Sequence, residues 1–257
     1  MSSHIDIRDK EKCCGCGACL CACPTNCISM NRDKKDFEYP EVDVSRCIEC
    51  GACVRVCPFI NTYDGGYAPM ECYAAINPNL QERLASSSGG IFILMAKRII
   101  DEGGVVIGAV FNSRMEVEHT VAETMEEVYP MMGSKYVQSS TGKVFESVRK
   151  NLKEGRKVLV TGTQCQIAGL NHYLGKDYEN LVTVELICHG APSPEVWSAY
   201  LSNIADAHLR RRRRTIRVEK IRNEDSIPDC SGGRLFCRCA FRDKSYGWKK
   251  FGRDNIA

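Results

Sequence analysis

The sequence lacks long apolar runs, a nucleotide-binding glycine motif and a strong net charge. Residues 1–12 are polar and charged and have no apolar core of the kind that secretory signal peptides need. No run approaches the ~20 apolar residues of a transmembrane helix, so we expect no membrane span. The pattern G-x-G-x-x-G is absent, which excludes the usual dinucleotide fingerprint. A net charge of +3 is too small to indicate a polyanionic partner.

Cysteine, by contrast, is abundant, with 17 residues in a chain of 257. In a short secreted protein this number would indicate a disulfide framework, but this chain is long and its first residues do not resemble a secretory signal. We therefore expect free thiolates in a reducing compartment, and a cytoplasmic location. A chain of this length can hold one large domain or two smaller ones.

Two cysteine runs near the N-terminus, at residues 13–24 and 47–58, share the spacing C-x2-C-x2-C-x3-C-P. This spacing is typical of ferredoxins with two 4Fe-4S clusters, in which the fourth cysteine of each run binds the other cluster. Zinc knuckles and disulfides are the alternatives, but zinc sites use two separated ligand pairs and leave a doubled set of eight unexplained. The predicted first ligand set is Cys13, Cys16, Cys19 and Cys57, and the second ligand set is Cys23, Cys47, Cys50 and Cys53.

Residues 1–65 are predicted to form a small α+β, ferredoxin-like head. Short segments at 28–30 and 37–39 flank a polar turn and predict a hairpin between the two cysteine runs. So small a unit has little apolar core, and most of its folding free energy should come from metal binding. Asp64, the two glycines that follow it and Pro69 predict a linker.

Six further cysteines lie outside the ligand pattern and outside the sheet. Three sit among the ligands but out of register, and we predict that they pack as small buried hydrophobes. Three lie in an irregular segment near the end of the chain, where they could complete a metal site, although no fourth ligand is evident. The first three are Cys14, Cys21 and Cys27, and the others are Cys230, Cys237 and Cys239.

Residues 66–257 are predicted to form an α/β domain with a mixed or mostly parallel sheet, because strand-like and helix-like segments alternate. Strands are predicted where β-branched apolar residues cluster, and helices where apolar residues recur at helical spacing. The predicted strands are 72–76, 105–111, 157–161 and 181–187. The predicted helices are 86–102, 141–154, 166–174 and 194–208.

Several loops of this domain are candidates for ligand binding, because open α/β sheets bind ligands beyond the carboxyl ends of their strands. Residues 86–90 offer hydroxyl and backbone N–H donors, although a plain serine cap would look the same. Residues 133–136 offer a cation and hydroxyl groups, or form only a turn. Residues 162–165 and 188–190 each place a cysteine beyond a strand, and a buried inert thiol is the alternative there.

Taken in order, four motifs resemble the beta-subunit family of coenzyme F-420 hydrogenase/dehydrogenase, in particular its members with an N-terminal two-cluster ferredoxin. The likeness covers nearly the whole chain, and the ordered set is much more specific than any one motif. The motifs are Ser87-Ser88-Gly89-Gly90, Gly133-Ser134-Lys135-Tyr136, Gly162-Thr163-Gln164-Cys165-Gln166 and Cys188-His189-Gly190-Ala191-Pro192.

The resemblance implies an FAD-containing α/β domain that receives electrons from the iron–sulfur clusters. It places Cys165 and Cys188 at family cysteines that ligate a third cluster or lie beside the flavin. Relatives are usually longer, so we expect part of the flavin site to lie in a missing C-terminal continuation. Gln164 replaces the usual proline of its loop. The implied flavin-binding residues are Ser88, Gly89, Gly90, Ser134, Lys135 and Tyr136.

Together these features predict an iron–sulfur flavoprotein oxidoreductase that passes electrons through two 4Fe-4S clusters to FAD and on to an acceptor. The alternative is a non-catalytic ferredoxin-type subunit of a larger redox complex. The partner is a redox protein or a small-molecule electron acceptor. The arginine run 210–214 follows a predicted helix end without interleaved aromatic residues, which favours a solvated or docking face over nucleic-acid binding.

Overall fold

The computed structural model describes residues 4–7, 9–61 and 71–215, with side chains described up to residue 204. These residues belong to a compact unit, Met1–Lys220. The predicted linker, the arginine side chains and the three C-terminal cysteines lie outside this description. No helix within it combines the length and apolarity needed to cross a bilayer.

The described chain contains eight helices and seven strands. The helices are α1 (Ala18–Ala22), α2 (Ala52–Arg55), α3 (Leu80–Ala85), α4 (Ile91–Asp101), α5 (Met125–Val128), α6 (Val144–Lys153), α7 (Gln164–Leu174) and α8 (Pro194–Thr215). The strands are β1 (Ile28–Arg32), β2 (Glu38–Val42), β3 (Val105–Phe111), β4 (Val117–Ala122), β5 (Ser139–Ser140), β6 (Val158–Thr163) and β7 (Leu181–Leu186). Short 3₁₀ helices occupy Lys10–Lys12, Val44–Arg46 and Tyr129–Met131.

The fold is α+β, with a five-stranded sheet in the order β5-β4-β3-β6-β7. β3 runs antiparallel to β4, whereas β3–β6, β6–β7 and β4–β5 are parallel pairs. The expected mixed, mostly parallel sheet is therefore confirmed. Phe111 lies opposite Val117, and Val117 lies opposite Ser139, so β5 begins at the edge where β3 ends. β6 ends at the same edge, because it runs parallel to β3.

The sheet is covered on both faces, since alternate side chains of its central strands enter different cores. Val105, Ile107 and the valines of β6 face a core formed with α6 and α7. Val106 and Leu159 face a second core formed with α4, α5 and the 3₁₀ helix at Tyr129–Met131. The head joins the first of these cores through Cys16 and Ala18.

The head contains α1, α2 and the antiparallel hairpin β1–β2. The predicted hairpin is present, with Ile28 opposite Val42. Cysteines make up much of the small core of the head, beside Ile5 and Ile28. A core of thiols contributes little apolar burial, so stability there has to come largely from what the thiols bind. The ferredoxin-like fold of the head and the domain division at 65/66 stay predictions.

Four predicted elements of the α/β part are wrong in detail. The helix expected at 194–208 continues to Thr215, so the backbone of the arginine run 210–214 lies inside α8 and does not follow a helix end. Residues 72–76 do not form a strand, because the run pairs with no strand of the described residues and leaves Tyr73 largely exposed. The helix expected from residue 86 begins only at Ile91, after Gly90 turns the chain with a positive φ, and a separate helix α3 precedes it. The helix expected from residue 141 begins at Val144. The sequence gives no apolar run at β4 and β5, because polar residues separate the valines of β4 and β5 consists of two serines.

Candidate metal centre

The eight predicted ligands gather around two separate cavities in the head. The first cavity is lined by the first ligand set, with Cys14 and Gly15 beside it. The second cavity is lined by the second ligand set, with Cys27 beside it. In each cavity three thiols come from one cysteine run and the fourth comes from the other run. This exchange of the fourth cysteine is the arrangement that the sequence spacing predicts.

The two halves of the head use the same backbone turns to aim their thiols. Gly17 (φ 75°) and Gly51 (φ 68°) have left-handed backbone conformations and begin α1 and α2. Gly15 (φ 66°) and Glu49 (φ 55°) have left-handed conformations at the matching positions two residues earlier. Because left-handed backbone favours glycine, Glu49 is the strained member of these two pairs.

Backbone N–H groups point at thiols of the second ligand set. Cys23 Sγ accepts from the Cys27 N–H (3.4 Å), and Cys47 Sγ accepts from the Glu49 N–H (3.4 Å). Cys53 Sγ accepts from the Ile5 N–H (3.3 Å). Such bonds stabilise negative charge on sulfur and are among the features that set the reduction potential of an iron–sulfur cluster.

The surroundings shift the pKa values of Cys19 and Cys23 in opposite directions. Burial, with Cys13 and Cys57 as charged neighbours, raises the pKa of Cys19 to about 12. Burial also raises the pKa of Cys23, but hydrogen bonds with Thr25 and Cys27 outweigh this effect and lower the pKa of that thiol to about 7. Metal binding requires thiolates, so it has to displace protons from the buried members of the set.

The donor set fits cubane clusters better than single ions. All donors are sulfur, which iron–sulfur clusters and zinc both accept. Among the described residues, no group of three or more cysteine, histidine, aspartate or glutamate side chains converges closely enough to hold one metal ion. Four thiols spaced around a cavity suit a larger group whose irons each take one thiolate.

The extra cysteines of the head point in different directions. Cys27 Sγ lies 3.4 Å from Cys23 Sγ and borders the second cavity. Cys21 Sγ faces away from the cavities, toward the carbonyl of Gly142 (3.6 Å). Cys14 borders the first cavity and packs against the core shared with α7.

Three glycines bring the first cavity close to the sheet domain. A Cβ at Gly169 of α7 would lie 2.7 Å from Cys16 Sγ, and one at Gly17 would lie 2.4 Å from Thr141 Oγ1. A Cβ at Gly15 would lie 2.8 Å from both Gln138 Nε2 and the Glu38 carbonyl oxygen. Only glycine permits these approaches. The first ligand set therefore lies directly against α7 and the segment around β5.

A buried hydrogen bond reinforces this contact. Thr141 Oγ1 donates to the Cys16 carbonyl at 2.9 Å, three residues before α6 begins at Val144. Gln166, in the first turn of α7, donates to Ser139 Oγ of β5 at 2.9 Å. Both contacts lie where β5 begins, which is the edge at which β3 and β6 end.

The residues that the resemblance assigns to a flavin lie in two loops that meet. The Ser134 N–H donates to Ser87 Oγ at 2.6 Å, which joins the loop before α4 to the loop after the 3₁₀ helix. Gly90 begins α4 without a side-chain cap, so backbone N–H groups at this helix start remain available. Ser88 is exposed, and Gly89 accepts a hydrogen bond from the Asn77 N–H at 2.7 Å.

Lys135 and Tyr136 have different surroundings. Lys135 Nζ donates to the carbonyls of Pro130, Met131 and Met132 at 2.9, 2.9 and 3.0 Å. The ammonium group thus caps the end of the 3₁₀ helix and fixes its own loop. Tyr136 is 70% exposed beside it.

The two strand-end cysteines follow adjacent parallel strands, because Thr163 pairs with Leu186 and each cysteine lies two residues further on. Cys165 lies in the first turn of α7, where Thr163 Oγ1 is 3.2 Å from its sulfur. Cys188 is exposed two residues after β7, with the Gly190 N–H donating to its sulfur. The third cluster stays a prediction.

Two residues at the head contact were missed by the sequence reasoning. Gly169 interrupts a helical pattern, and such a glycine usually has a packing reason, so its signal was present in the sequence. Thr141 carried no signal, because a threonine that donates to a distant carbonyl looks like any surface threonine.

Comparison with known proteins supports the assignment of the head alone. A search of curated proteins gives no match to the chain. A family model for the 4Fe-4S dicluster domain matches residues 12–61, the segment that holds both ligand sets. Residues 12–61 are therefore a ferredoxin-type domain for 4Fe-4S clusters, and this domain supports a role in iron–sulfur electron transfer.

Proposed function

We propose that the protein is an iron–sulfur flavoprotein oxidoreductase. In this proposal the second ligand set faces an external electron carrier, and the first faces a flavin held at the edge of the sheet. Bound clusters would supply one-electron steps, and a flavin converts these to two-electron chemistry. The observation that carries the proposal is the close contact of the first ligand set with α7 and β5, at the sheet edge where α/β proteins bind ligands.

Burial supports this direction of transfer. Cys16, Cys19 and Cys57 of the first set are buried, whereas Cys50 of the second set is exposed. The neighbours Val44 and Ile48 are 62% and 64% exposed. Two apolar side chains cover far less than the ~800 Å² per partner of a stable interface, so they suit the brief contact of an electron-transfer encounter.

The meeting of the two loops supports the flavin. Ser134, bonded to Ser87, is four residues before Gln138, which contacts the head at Gly15. Four residues of extended chain span at most about 14 Å, so the backbone of Ser134, where the two loops meet, lies within that distance of Gln138 at the head contact. Exposed Ser88 and the uncapped start of α4 offer donors to a phosphate or an anionic ring edge.

The ligand assignment is tested by comparing two cysteine variants of the anaerobically purified protein. Cys50→Ala should lose one cluster and fall from about eight to about four irons per chain. Cys21→Ala is the matched control, because Cys21 faces the Gly142 carbonyl, and its iron content should stay at the wild-type value. Full iron in the Cys50→Ala protein would refute the assignment.

The flavin is tested by analysing the same preparation for FAD. Stoichiometric flavin supports the oxidoreductase, and cluster-loaded protein without flavin would favour the alternative, an electron-transfer subunit of a larger complex. Lys135→Ala should weaken flavin binding through loss of the loop geometry while the iron content is kept, since its ammonium group holds three carbonyls. Unchanged flavin affinity in this variant would remove Lys135 from the site.

A further inference from the structure

The second cavity of the head is lined by one thiol more than a cubane cluster needs. A 4Fe-4S cluster takes one thiolate at each of its irons, so the second ligand set is already complete. The cavity is nevertheless lined by that whole set and by Cys27 as well. Cys27 lies outside the spacing pattern that predicts the ligands, and its side chain is buried. The cavity thus contains a spare donor of the same chemistry as the ligands.

A tight turn brings Cys27 back onto Cys23. The Asn26 N–H donates to the Cys23 carbonyl at 3.2 Å, and Asn26 has a left-handed backbone (φ 50°), which asparagine adopts more readily than most residues. Lys143 Nζ donates to Asn26 Oδ1 at 2.6 Å and so holds the turn from the sheet domain. Cys27 Sγ then lies 3.4 Å from Cys23 Sγ, and both residues border the second cavity.

This separation lets the two sulfurs reach one metal position. Metal–thiolate bonds are about 2.3 Å long, so two sulfurs less than about 4.6 Å apart can bond to the same ion. The 3.4 Å between Cys23 Sγ and Cys27 Sγ lies well inside this limit. Cys27 is buried, whereas Cys23 is only half-buried. Because oxidation of a thiol increases with its exposure, Cys23 is the one of the two that is more easily lost as a ligand.

We propose that Cys27 is an alternative ligand of the second site and binds iron in place of Cys23 when Cys23 is absent or oxidised. Replacing one thiolate by the other is redox-neutral, because the Cys27 thiol gives up its proton to water and its sulfur completes the set. The proposal rests on the assignment of the second ligand set and is independent of the proposed flavin.

The first experiment measures iron in variants that are reconstituted anaerobically with ferrous iron and sulfide. Cys23→Ala should keep about eight irons per chain, and the double variant Cys23→Ala/Cys27→Ala should fall to about four. Cys23→Ala/Cys21→Ala is the matched control, because Cys21 faces the Gly142 carbonyl, and it should keep about eight. Equal iron in the two double variants would overturn the proposal.

The matching cysteine of the other run supplies a second comparison. Cys57 also precedes a proline and completes the other ligand set, but Asn61 stands four residues after it, at the position where Cys27 follows Cys23. Cys57→Ala should therefore fall to about four irons, while Cys23→Ala keeps about eight. The same loss in both variants would show that Cys27 does not replace Cys23, and the proposal would be wrong.

A further variant covers the case in which Cys23→Ala does not fold. Cys23→Val fills the space of the side chain without a donor atom and should also hold about eight irons, which Cys27→Ala should then reduce to about four. Loss of iron from both the alanine and the valine variant would overturn the proposal. A wrong ligand assignment is recognised separately, because it would leave Cys50→Ala with about eight irons. Flavin analysis of the wild type reports on the oxidoreductase alone.

Discussion

Replacing Gly17 by alanine tests whether the head rests on the sheet domain through glycine contacts. Gly17 has a left-handed backbone (φ 75°), and an added Cβ would lie 2.4 Å from Thr141 Oγ1. Gly155 has nearly the same backbone (φ 77°), and no atom of the described structure lies within 4 Å of a Cβ placed there. Gly155→Ala therefore reports the cost of the backbone alone, and Gly17→Ala reports that cost together with the lost contact.

The magnitude follows from these geometries. Alanine in a left-handed conformation costs roughly 1–2 kcal/mol, which is the whole effect expected for Gly155→Ala. At Gly17, either the overlap with Thr141 persists, at roughly 1–3 kcal/mol, or Thr141 moves and leaves the buried Cys16 carbonyl unpaired, at a similar cost. The total for Gly17→Ala is about 2–5 kcal/mol.

The assay is anaerobic thermal denaturation followed by circular dichroism and by the visible absorption of the clusters. For a chain of this size, 1 kcal/mol corresponds to about 2–4 °C, so the midpoint should fall by about 2–8 °C for Gly155→Ala and by about 4–20 °C for Gly17→Ala. Cluster absorption should be lost first in the Gly17 variant, because the affected contact includes Cys16. Equal midpoints for the two variants would refute the contact.

Three further predictions concern other positions. Gly169→Ala should lower the occupancy of one cluster and leave the other intact, because the added Cβ would lie 2.7 Å from Cys16 Sγ. Iron analysis and electron paramagnetic resonance of the reduced protein measure the occupancy, and two intact clusters would contradict the prediction. Glu49→Gly should stabilise the head by about 0.5–1 kcal/mol, because the free energy gained by relieving the strain at φ 55° is larger than the entropic cost of a glycine. A lower thermal midpoint in this variant would contradict the prediction. Hydrogen bonds from Lys97 and, second, from Asn77 hold the pKa of Glu82 below its ordinary value of 4.5. The ionised carboxylate therefore stabilises the fold at pH values above 4.5, and this stabilisation is lost as the pH falls through the lowered pKa. The midpoint difference between wild type and Glu82→Gln should therefore shrink on acidification, and a constant difference from pH 7 to pH 4 would exclude the effect.

The order of redox events depends on features that only the folded head shows. Backbone N–H groups point at Cys23, Cys47 and Cys53 of the second ligand set, and Cys50 of that set is exposed. Both hydrogen bonds and solvent contact stabilise the reduced, more negative cluster. The exposure of Cys50 is therefore expected to make the two clusters differ in potential.

The cysteine spacing determined the ligand chemistry without help from the structure, because a cubane needs its thiolates at short, fixed separations in one loop. The exchange of Cys23 and Cys57 between the two sets followed from the same spacing. The hairpin β1–β2 and the strand β3 were also predictable, since their apolar alternation and β-branched runs are local signals. The strand expected at 72–76 was wrong, because an apolar run becomes a strand only where another strand pairs with it.

The tertiary structure alone decided where the head rests and where its extra thiols lie. Cys14, Cys21 and Cys27 look alike in the sequence, yet Cys14 borders the first cavity, Cys21 faces the Gly142 carbonyl and Cys27 borders the second cavity. β4 and β5 bring the start of β5 to the edge where β3 ends, and the sequence gives no signal for that pairing. Spacing along the chain sets ligand chemistry because those residues are neighbours in one loop. Contacts such as Cys16 with Gly169 join segments far apart in sequence, so they depend on how the whole sheet packs.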